Sequence, residues 1–286
     1  MAGDAEQELR AYVDYLRDLG IHDFYRRGEP VFAEIAEATA VVSEAPSLAA
    51  KVVAAVQEPT ALPIPNRTQY AEPLIPRLVS FDDLVPLPEN RVAAVHKADA
   101  LVAIQNEIGD CTRCPLAYAG RRNIVFGDGD ANARLMFVGE GPGADEDASG
   151  VPFVGKAGQP LNNMIQAMGL KREDVYIANI VKCRPPANRV PEPVEAETCD
   201  QFLLRQIDVV QPQVVVALGA TAAMYLLGVR QSLSSLRGRW HSCRGAKLAV
   251  TYHPAFLLRD PRQKGEAWKD LQMVMAELGL KPAVKG

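Results

Sequence analysis

Four cysteines are the residues of this chain whose chemistry is easiest to define: Cys111, Cys114, Cys183 and Cys199. Two residues separate the first pair, fifteen separate the second pair, and sixty-eight lie between the pairs. Four thiolates can hold a [4Fe–4S] cluster or a structural zinc ion, and the spacing leaves both open. The acidic N-terminus has no signal-peptide hydrophobic segment, which predicts a cytoplasmic protein whose thiols are reduced. The fifth cysteine, Cys243, is expected to be a small core residue.

A glycine-rich segment, GEGPG at 139–143, carries the next candidate chemistry. Its glycines allow the backbone to approach a ligand closely, but it matches neither the dinucleotide fingerprint nor the Walker P-loop. Glu140 lies within it, and the acidic run 145–147, with Glu146 at its centre, follows directly. Such carboxylates can orient a water molecule or stabilise a positive charge, although an acidic run is more often a solvated helix face.

Three further side chains could recognise a ligand. Phe153 lies between turn residues, so it is either a core aromatic or a platform on which a base stacks. Asn179 interrupts an apolar strand, and a buried carboxamide needs a backbone partner or the donor–acceptor edge of a base. His253 follows a strand and precedes a proline. A lone histidine is more often structural or exposed than catalytic, but a position at a strand end among three other motif loops raises the odds of a chemical role.

The run Leu257-Leu258-Arg259 is a candidate contact with DNA. Leucine is normally a core residue, but apolar side chains on a loop beside an arginine can wedge into a duplex. The charge distribution is compatible with phosphate contact: residues 101–286 carry 22 Lys and Arg against 19 Asp and Glu, whereas residues 1–100 carry 9 against 16. These counts alone decide little.

Short apolar runs alternate with helical patterns after residue 98, which predicts an α/β fold with a parallel sheet covered by helices on both faces. Strands are predicted over 135–138, 175–181, 214–218 and 248–252, and helices over 98–108, 161–168, 193–210, 221–227 and 266–278. In such folds ligands bind at the carboxyl ends of the strands. The glycine-rich segment, Asn179 and His253 all lie there, which indicates a single shared site.

Residues 1–97 differ from the rest of the chain. They are acidic, and seven prolines fall between positions 59 and 88. An amphipathic helix is predicted over 5–19, but no independent core is expected. We therefore predict an N-terminal extension over 1–97, of unknown role and a candidate binding segment for a protein partner, and a folded domain over 98–286 that carries every motif.

The motifs, taken together and in order, closely resemble those of the family 4 uracil-DNA glycosylases, the iron–sulfur branch of the uracil-DNA glycosylase superfamily. The resemblance covers roughly residues 105–280. It rests on Cys199, on the His-Pro run at 253–259 and on the segments 111–115, 139–147, 152–158, 179–186, 188–189 and 219–221. Each motif is weak alone, but the set is specific.

The resemblance implies a three-layer α/β/α sandwich with a short central parallel sheet, and removal of uracil from DNA by hydrolysis of the N-glycosidic bond. It implies that the four paired cysteines bind a [4Fe–4S] cluster. It also implies that Phe153 stacks on uracil, that Asn179 reads its edge and that His253 lies at its O2. The expected DNA contacts are those of the run at 257–259.

The same resemblance places Glu140 and Glu146 in the acidic catalytic motif, with either one managing the attacking water. Gly141 belongs to the substrate pocket, at a position where better-studied related families place Asp or Asn. Glu146 is also a candidate for the wall that excludes the C5 methyl group of thymine.

Three alternatives remain open at the level of sequence. The first is a non-catalytic or covalently trapping uracil-DNA binder of the same superfamily, although residues 228–238 lack the histidine that such trapping uses. The second is a nucleic-acid-binding module built on a four-cysteine zinc site. The third is an interaction protein whose activity depends on its N-terminal region. We expect a monomer with no membrane-spanning segment, because no run of eighteen apolar residues occurs.

Overall fold

Six strands form one sheet, and they lie in chain order at β1 Asp128–Gly129, β2 Leu135–Gly139, β3 Tyr176–Asn179, β4 Val214–Leu218, β5 His241–Cys243 and β6 Ala246–Thr251. The structure is a computed structural model that describes residues 78–283. Their spatial order is β1-β3-β2-β4-β6-β5. The four central strands are parallel, as predicted, and the two short edge strands are antiparallel. The sheet is therefore mixed, with a parallel centre.

Nine α-helices surround the sheet within residues 78–283: α1 Phe81–Leu84, α2 Lys97–Ile108, α3 Ala144–Ser149, α4 Gly158–Ala167, α5 Pro193–Val210, α6 Ala220–Leu227, α7 Leu233–Leu236, α8 Pro254–Arg259 and α9 Lys264–Leu278. The five predicted helices are all present as α2, α4, α5, α6 and α9. In this part of the chain no helix has the length and apolar character needed to cross a bilayer.

Helix α8 corrects one expectation, because the run at 257–259 was predicted to lie on a loop. Pro254 occupies the first helical position, where its fixed φ favours a helix and its missing N–H costs nothing. The ring of His253 caps the helix by accepting from the backbone N–H of Ala255. One residue thus both ends the strand region and starts the helix.

The two faces of the sheet are buried by separate clusters. On one face Met136, Val138 and Val215 pack with residues of α2, α5 and α6, and we call this cluster the first-face core. On the other face Phe137 and Val216 pack with residues of α4 and α9. Strand side chains alternate between the faces, so a strand covered on both sides is apolar throughout. This arrangement confirms the three-layer α/β/α sandwich.

Residues 78–97 belong to the same compact unit as the sheet. Phe81 is only 1% exposed and belongs to the first-face core. The buried guanidinium of Arg244 donates to the carbonyl oxygens of Phe81 and Pro86 and to both carboxylate oxygens of Asp208. We call residues 78–97 the strap. The predicted boundary at 97 stays a prediction, and the predicted helix over 5–19 lies outside the described residues.

Candidate active site

The parallel register of two strands brings the first two site residues together. Gly139 ends β2 directly beside Asn179, which ends β3. A Cβ atom on Gly139 would lie 2.4 Å from Oδ1 of Asn179 and 2.5 Å from Cζ of Phe153. Only a residue without a side chain allows an amide and an aromatic ring to approach this strand end so closely.

Phe153 occupies a strained loop that several groups hold in place. Its φ is 51°, in the left-handed region that non-glycine residues seldom adopt, and its side chain is 5% exposed. The guanidinium of Arg172 donates to the Phe153 carbonyl oxygen at 3.2 Å and to Oδ1 of Asn162 at 3.1 Å. The centroid of the Phe153 ring lies 5.7 Å from that of the His253 ring, with the two planes tilted by 35°, so the two side chains are direct neighbours.

Asn179 presents an amide oxygen that has no partner. The residue is 1% exposed, and among the described residues Oδ1 of Asn179 and Oγ1 of Thr251 are the buried side-chain polar atoms without a hydrogen bond. An unpaired buried acceptor costs roughly 1–3 kcal/mol, so native proteins seldom retain one without a reason. This acceptor and the Phe153 ring both lie next to Gly139, and a planar heterocycle bound beside them could supply the missing donor.

His253 is held as a neutral imidazole with a defined tautomer. Nδ1 accepts from the Ala255 N–H at 3.2 Å, so the remaining proton of the neutral ring lies on Nε2. Burial, assisted by the nearby positive charge of Arg259, lowers the pKa of His253 to about 4. The loop after β4 passes beneath it, and a Cβ on Gly219 would lie 3.1 Å from Cβ of His253. At neutral pH the side chain is therefore a hydrogen-bond donor rather than a cation.

The two carboxylates of the acidic motif have different environments. Glu146 is buried and accepts from the backbone N–H groups of Gly143, Val154 and Gly155 at 2.8–3.0 Å. It therefore ties the glycine-rich segment to the loop that follows Phe153. Glu140 is half-buried, and burial raises its pKa while a hydrogen bond from Thr221 acts in the opposite direction.

The four paired cysteines line one cavity, together with the side chains of Arg121 and Lys182 and an apolar wall. Arg121 donates to Sγ of Cys183 at 3.3 Å, and the backbone N–H of Lys182 donates to Sγ of Cys199 at 3.3 Å. Burial raises the pKa of the Cys183 thiol and raises that of Cys199 to about 12. A bound metal would be needed to keep these buried sulfurs as thiolates.

Four thiols around one cavity are a suitable donor set for an iron–sulfur cluster, in which each cysteine binds a different iron atom. Within residues 78–283, no group of three or more His, Cys, Asp or Glu side chains is arranged to hold a single metal ion. Cys243 lies apart from the four paired cysteines in strand β5, fully buried in the first-face core.

Comparison with known proteins identifies the family. A family model described as the uracil DNA glycosylase superfamily matches residues 126–272. The type-4 uracil-DNA glycosylase of Thermotoga maritima is 45% identical over 166 residues, which are 57% of this chain and 86% of that protein. The type-4 enzymes of Pyrobaculum aerophilum (45% over 174 residues, 58% and 88%) and Archaeoglobus fulgidus (39% over 184 residues, 62% and 92%) are also similar. The chain belongs to the type-4 branch of the uracil DNA glycosylase superfamily.

The three residues predicted to contact DNA differ in exposure in the structure of this family member. Leu257 is 3% exposed, whereas Leu258 is 48% exposed and Arg259 is also exposed. In this structure Leu258 and Arg259, but not Leu257, present their side chains at the surface, and the expected DNA contact at Leu257 stays a prediction. Gly141, inside the glycine-rich segment, lies against the side chain of Val181. A Cβ on Gly141 would be 2.7 Å from Cγ2 of Val181.

Three polar groups support the site of this glycosylase-family chain and were not among the predicted site residues: the half-buried Arg172 and the buried Lys182 and Asp147. Arg172 braces the Phe153 loop, and Lys182 lies between the pocket and the cysteines. Asp147 accepts from the N–H groups of Arg122 and Asn123, which anchors α3 to the loop after Cys114. A charged residue inside the apolar run before Cys183 was a usable signal for Lys182. Nothing in the sequence marked Arg172.

Proposed function

We propose that this chain hydrolyses the N-glycosidic bond of deoxyuridine in DNA, which releases uracil and leaves an abasic site. The observation that supports this most directly is the unpartnered Oδ1 of Asn179 beside the rings of Phe153 and His253. These groups match the three needs of a base-excision pocket: an acceptor for a base N–H, a stacking surface and a donor for a departing base. Family membership supports the same activity.

The target base must leave the duplex before it reaches this pocket, at a cost of a few kcal/mol. In the proposed complex Phe153 stacks on the flipped uracil. Oδ1 of Asn179 accepts from uracil N3–H, and its NH₂ group donates to O4. Cytosine presents the opposite pattern of donor and acceptor at these positions. A carboxamide held in one orientation therefore favours uracil.

His253 acts on the departing base. As the glycosidic bond breaks, negative charge develops on uracil O2 and positive charge on the sugar. The Nε2–H group of neutral His253 donates to O2, and this bond strengthens as the charge grows. A preorganised donor of this kind typically contributes about 3–4 kcal/mol to lowering the barrier. The freed base leaves as an anion stabilised by this bond.

We assign the attacking water to Glu140. The oxygens of Glu146 already accept three backbone N–H groups, which suits it to holding the Phe153 loop. Glu140 is partly accessible, and its raised pKa makes it a stronger base toward water than an ordinary glutamate. In its anionic form it also stabilises the cationic sugar. Water adds to the sugar carbon, and Glu140 takes the proton.

We further propose that Cys111, Cys114, Cys183 and Cys199 hold a [4Fe–4S] cluster. Its iron–thiolate bonds would cross-link the segments before β1, after β3 and within α5, and hydrolysis requires no electron from it. Anaerobically purified protein should contain about four irons per chain and be brown. Cys243→Ser should keep the iron, whereas Cys199→Ser should lose it. A colourless protein that contains zinc would contradict the assignment.

On the protein surface, Leu258 and Arg259 are the proposed contacts with DNA, because both are exposed on helix α8, which His253 caps. Wedge residues on such a helix would fill the gap that the flipped base leaves. DNA containing uracil is the proposed substrate.

An excision assay tests the function. A labelled oligonucleotide with one deoxyuridine is incubated with the protein, then cleaved with alkali at abasic sites, with an all-thymidine oligonucleotide as control. Cleavage at the uracil position alone is expected. Intact DNA after prolonged incubation would overturn the proposal. A protein–DNA adduct that survives a denaturing gel would favour the covalently trapping alternative.

A further inference from the structure

Lys182 connects the cysteine site to the base-reading residue. It follows the end of β3 by three residues, and only 1% of it is exposed. Its Nζ donates to the backbone carbonyl oxygen of Asn179 at 2.9 Å and to Oε1 of Gln206 at 2.5 Å. Its backbone N–H donates to Sγ of Cys199. One residue therefore contacts both the pocket strand and a cysteine of the proposed cluster site.

The buried ammonium of Lys182 has an unusual environment. Among the ion pairs within residues 78–283, none involves this lysine. Its partners are two neutral carbonyl oxygens. Burying a charge with neutral partners is costly, and an apolar side chain of similar volume would avoid that cost. A buried lysine ammonium is therefore expected where its hydrogen bonds hold neighbouring groups in a required position.

Gln206 fixes the direction of this contact. The residue is fully buried, and its NH₂ group donates to the carbonyl oxygen of Phe126 and to the hydroxyl of Tyr176, both at 3.0 Å. Because these bonds occupy the NH₂ group, its Oε1 must face Lys182. A Cβ on Gly127 would lie 2.8 Å from the Tyr176 hydroxyl, so the network has little room to rearrange.

The network controls the peptide group that follows Asn179. The N–H of that group, on Ile180, donates to the carbonyl oxygen of Gly139 at 2.9 Å, and its carbonyl oxygen accepts from Lys182. Both polar atoms of the peptide are therefore held, which fixes its plane. The Asn179 side chain has no hydrogen bond at Oδ1, so its direction depends on this backbone and on packing.

We propose that Lys182 is a positioning residue that aims the Asn179 carboxamide at the base by fixing the Asn179–Ile180 peptide. This inference rests on the proposed function, because the aim matters only if Asn179 reads uracil. Nζ of Lys182 bonds to the backbone of Asn179 and to Gln206, and not to the Asn179 carboxamide. Its effect on excision must therefore pass through Asn179, and Phe153 must be largely independent of it.

The test is a double-mutant cycle in single-turnover excision. Lys182→Met keeps the length of the side chain and removes both Nζ bonds. It should slow uracil excision by about 10–100-fold, since small misplacements of recognition groups have effects of up to about 10². In the Asn179→Ala background the same substitution should have almost no further effect, whereas in the Phe153→Ala background the two losses should multiply. Lys171→Met, at an exposed lysine, is the matched control and should match the wild type.

Three measurements without turnover accompany the cycle: iron per chain, thermal midpoint and affinity for an uncleavable 2′-fluorodeoxyuridine oligonucleotide. Lys182→Met should keep its iron, since the N–H bond to Cys199 is on the backbone, and should bind the uracil analogue more weakly. Full loss of iron, or equal losses of rate in all backgrounds, would show a merely structural role and overturn the proposal. If Lys182→Met does not fold, Lys182→Gln, whose polar but shorter side chain cannot reach both acceptors, should fold and show the same non-additivity.

The outcomes separate the two proposals. If the wild type excises uracil and Lys182→Met excises it equally fast with iron intact, the role of Lys182 is wrong and the proposed function stands. If the wild type leaves uracil in place, the proposed function fails and the positioning role fails with it.

Discussion

The proposed base pocket and the cysteine site share the segment from Asn179 to Cys183, yet their polar groups are satisfied in opposite ways. In the pocket, Asn179 has an unpaired oxygen and Phe153 has a left-handed backbone. At the cysteine site, N–H groups already point at the sulfurs of Cys183 and Cys199. Unpaired groups and strain persist where a transient ligand supplies the missing contacts, whereas saturated bonding suits a permanent one.

This difference predicts different effects of substitution. Changes in the pocket should reduce the rate of excision and leave the free energy of unfolding almost unchanged. Changes at the cysteine site should reduce iron retention and the free energy of unfolding. They should slow excision only when iron or folded protein is lost.

His253→Ala should slow single-turnover excision of uracil by about 10²–10³-fold, the usual cost of losing a donor to a developing anion. Affinity for uracil-containing DNA should change little, because the bond gains its strength in the transition state. His96→Ala, at an exposed histidine of the strap, is the control and should match the wild type. Excision by His253→Ala at the wild-type rate would make His253 a purely structural cap of α8.

The pH dependence of stability should report the same residue. The pKa of His253 is about 4 in the folded protein against about 6.5 in the unfolded chain, so the unfolded chain binds the proton first as pH falls. The stabilisation is fully present above pH 6.5 and is lost down to pH 4, a total of up to about 3 kcal/mol. Urea unfolding at pH 7.5 and 4.5 should show a smaller drop for His253→Ala than for the wild type. Equal drops would place the folded-state pKa near its ordinary value.

Gly139→Ala should reduce excision about 10²-fold, because its Cβ must displace either the Asn179 amide or the Phe153 ring. The iron content should stay at the wild-type level, since no cysteine contact changes. Gly265→Ala is the matched control, because a Cβ there meets nothing within 4 Å. Loss of iron together with activity would show that the pocket and the cysteine site are not separable.

Arg121→Met tests the prediction that changes at the cysteine site act on iron retention rather than on excision. Its side chain is 8% exposed and donates to Sγ of Cys183 and to the carbonyl oxygen of Cys111. Loss of a charge-assisted bond of about 1.5 kcal/mol should speed iron release to a chelator roughly tenfold. Protein that still holds its iron should excise uracil within a few-fold of the wild type. Arg122→Met, at the exposed neighbour, should release iron at the wild-type rate.

The sequence predicted the central sheet well because its strands are buried on both faces and are therefore apolar throughout. It also predicted which loops converge, since parallel strands present their carboxyl ends at one edge. Helix α8 was not predicted, because a histidine that caps through its ring resembles a loop residue in the sequence. The burial of Leu257 depends on that helix.

Other features of the site required the three-dimensional structure. The open Oδ1 of Asn179 and the three bonds to Glu146 are properties of side-chain placement that no local pattern encodes. The strap was also hidden, because Phe81 lies in a proline-rich acidic stretch that favours a linker by composition. Only packing reveals that this phenylalanine completes the first-face core.

The strap supplies the prediction with the smallest effect on excision, because it lies away from both sites. A chain that starts at Leu78 should fold, excise uracil and keep its iron as the full chain does. A chain that starts at Val92 lacks Phe81 and leaves the Arg244 guanidinium without several of its acceptors. Loss of a buried phenylalanine alone costs about 3–5 kcal/mol. The thermal midpoint should fall sharply, while excision per folded molecule at low temperature stays near the wild-type value.

A milder variant keeps this prediction testable if the shorter chain does not fold. Phe81→Ala in the full chain removes the core contact but retains the carbonyl oxygens that Arg244 contacts, and Val95→Ala, at an 80% exposed position of the strap, is its control. Phe81→Ala should lower the thermal midpoint, and Val95→Ala should not. Both should excise uracil at the wild-type rate once folded, because no bond from the strap reaches Asn179, His253 or a paired cysteine among the described hydrogen bonds. A reduced rate in folded, iron-replete Phe81→Ala would show that the first-face core, and not the local network alone, holds the pocket in its active geometry.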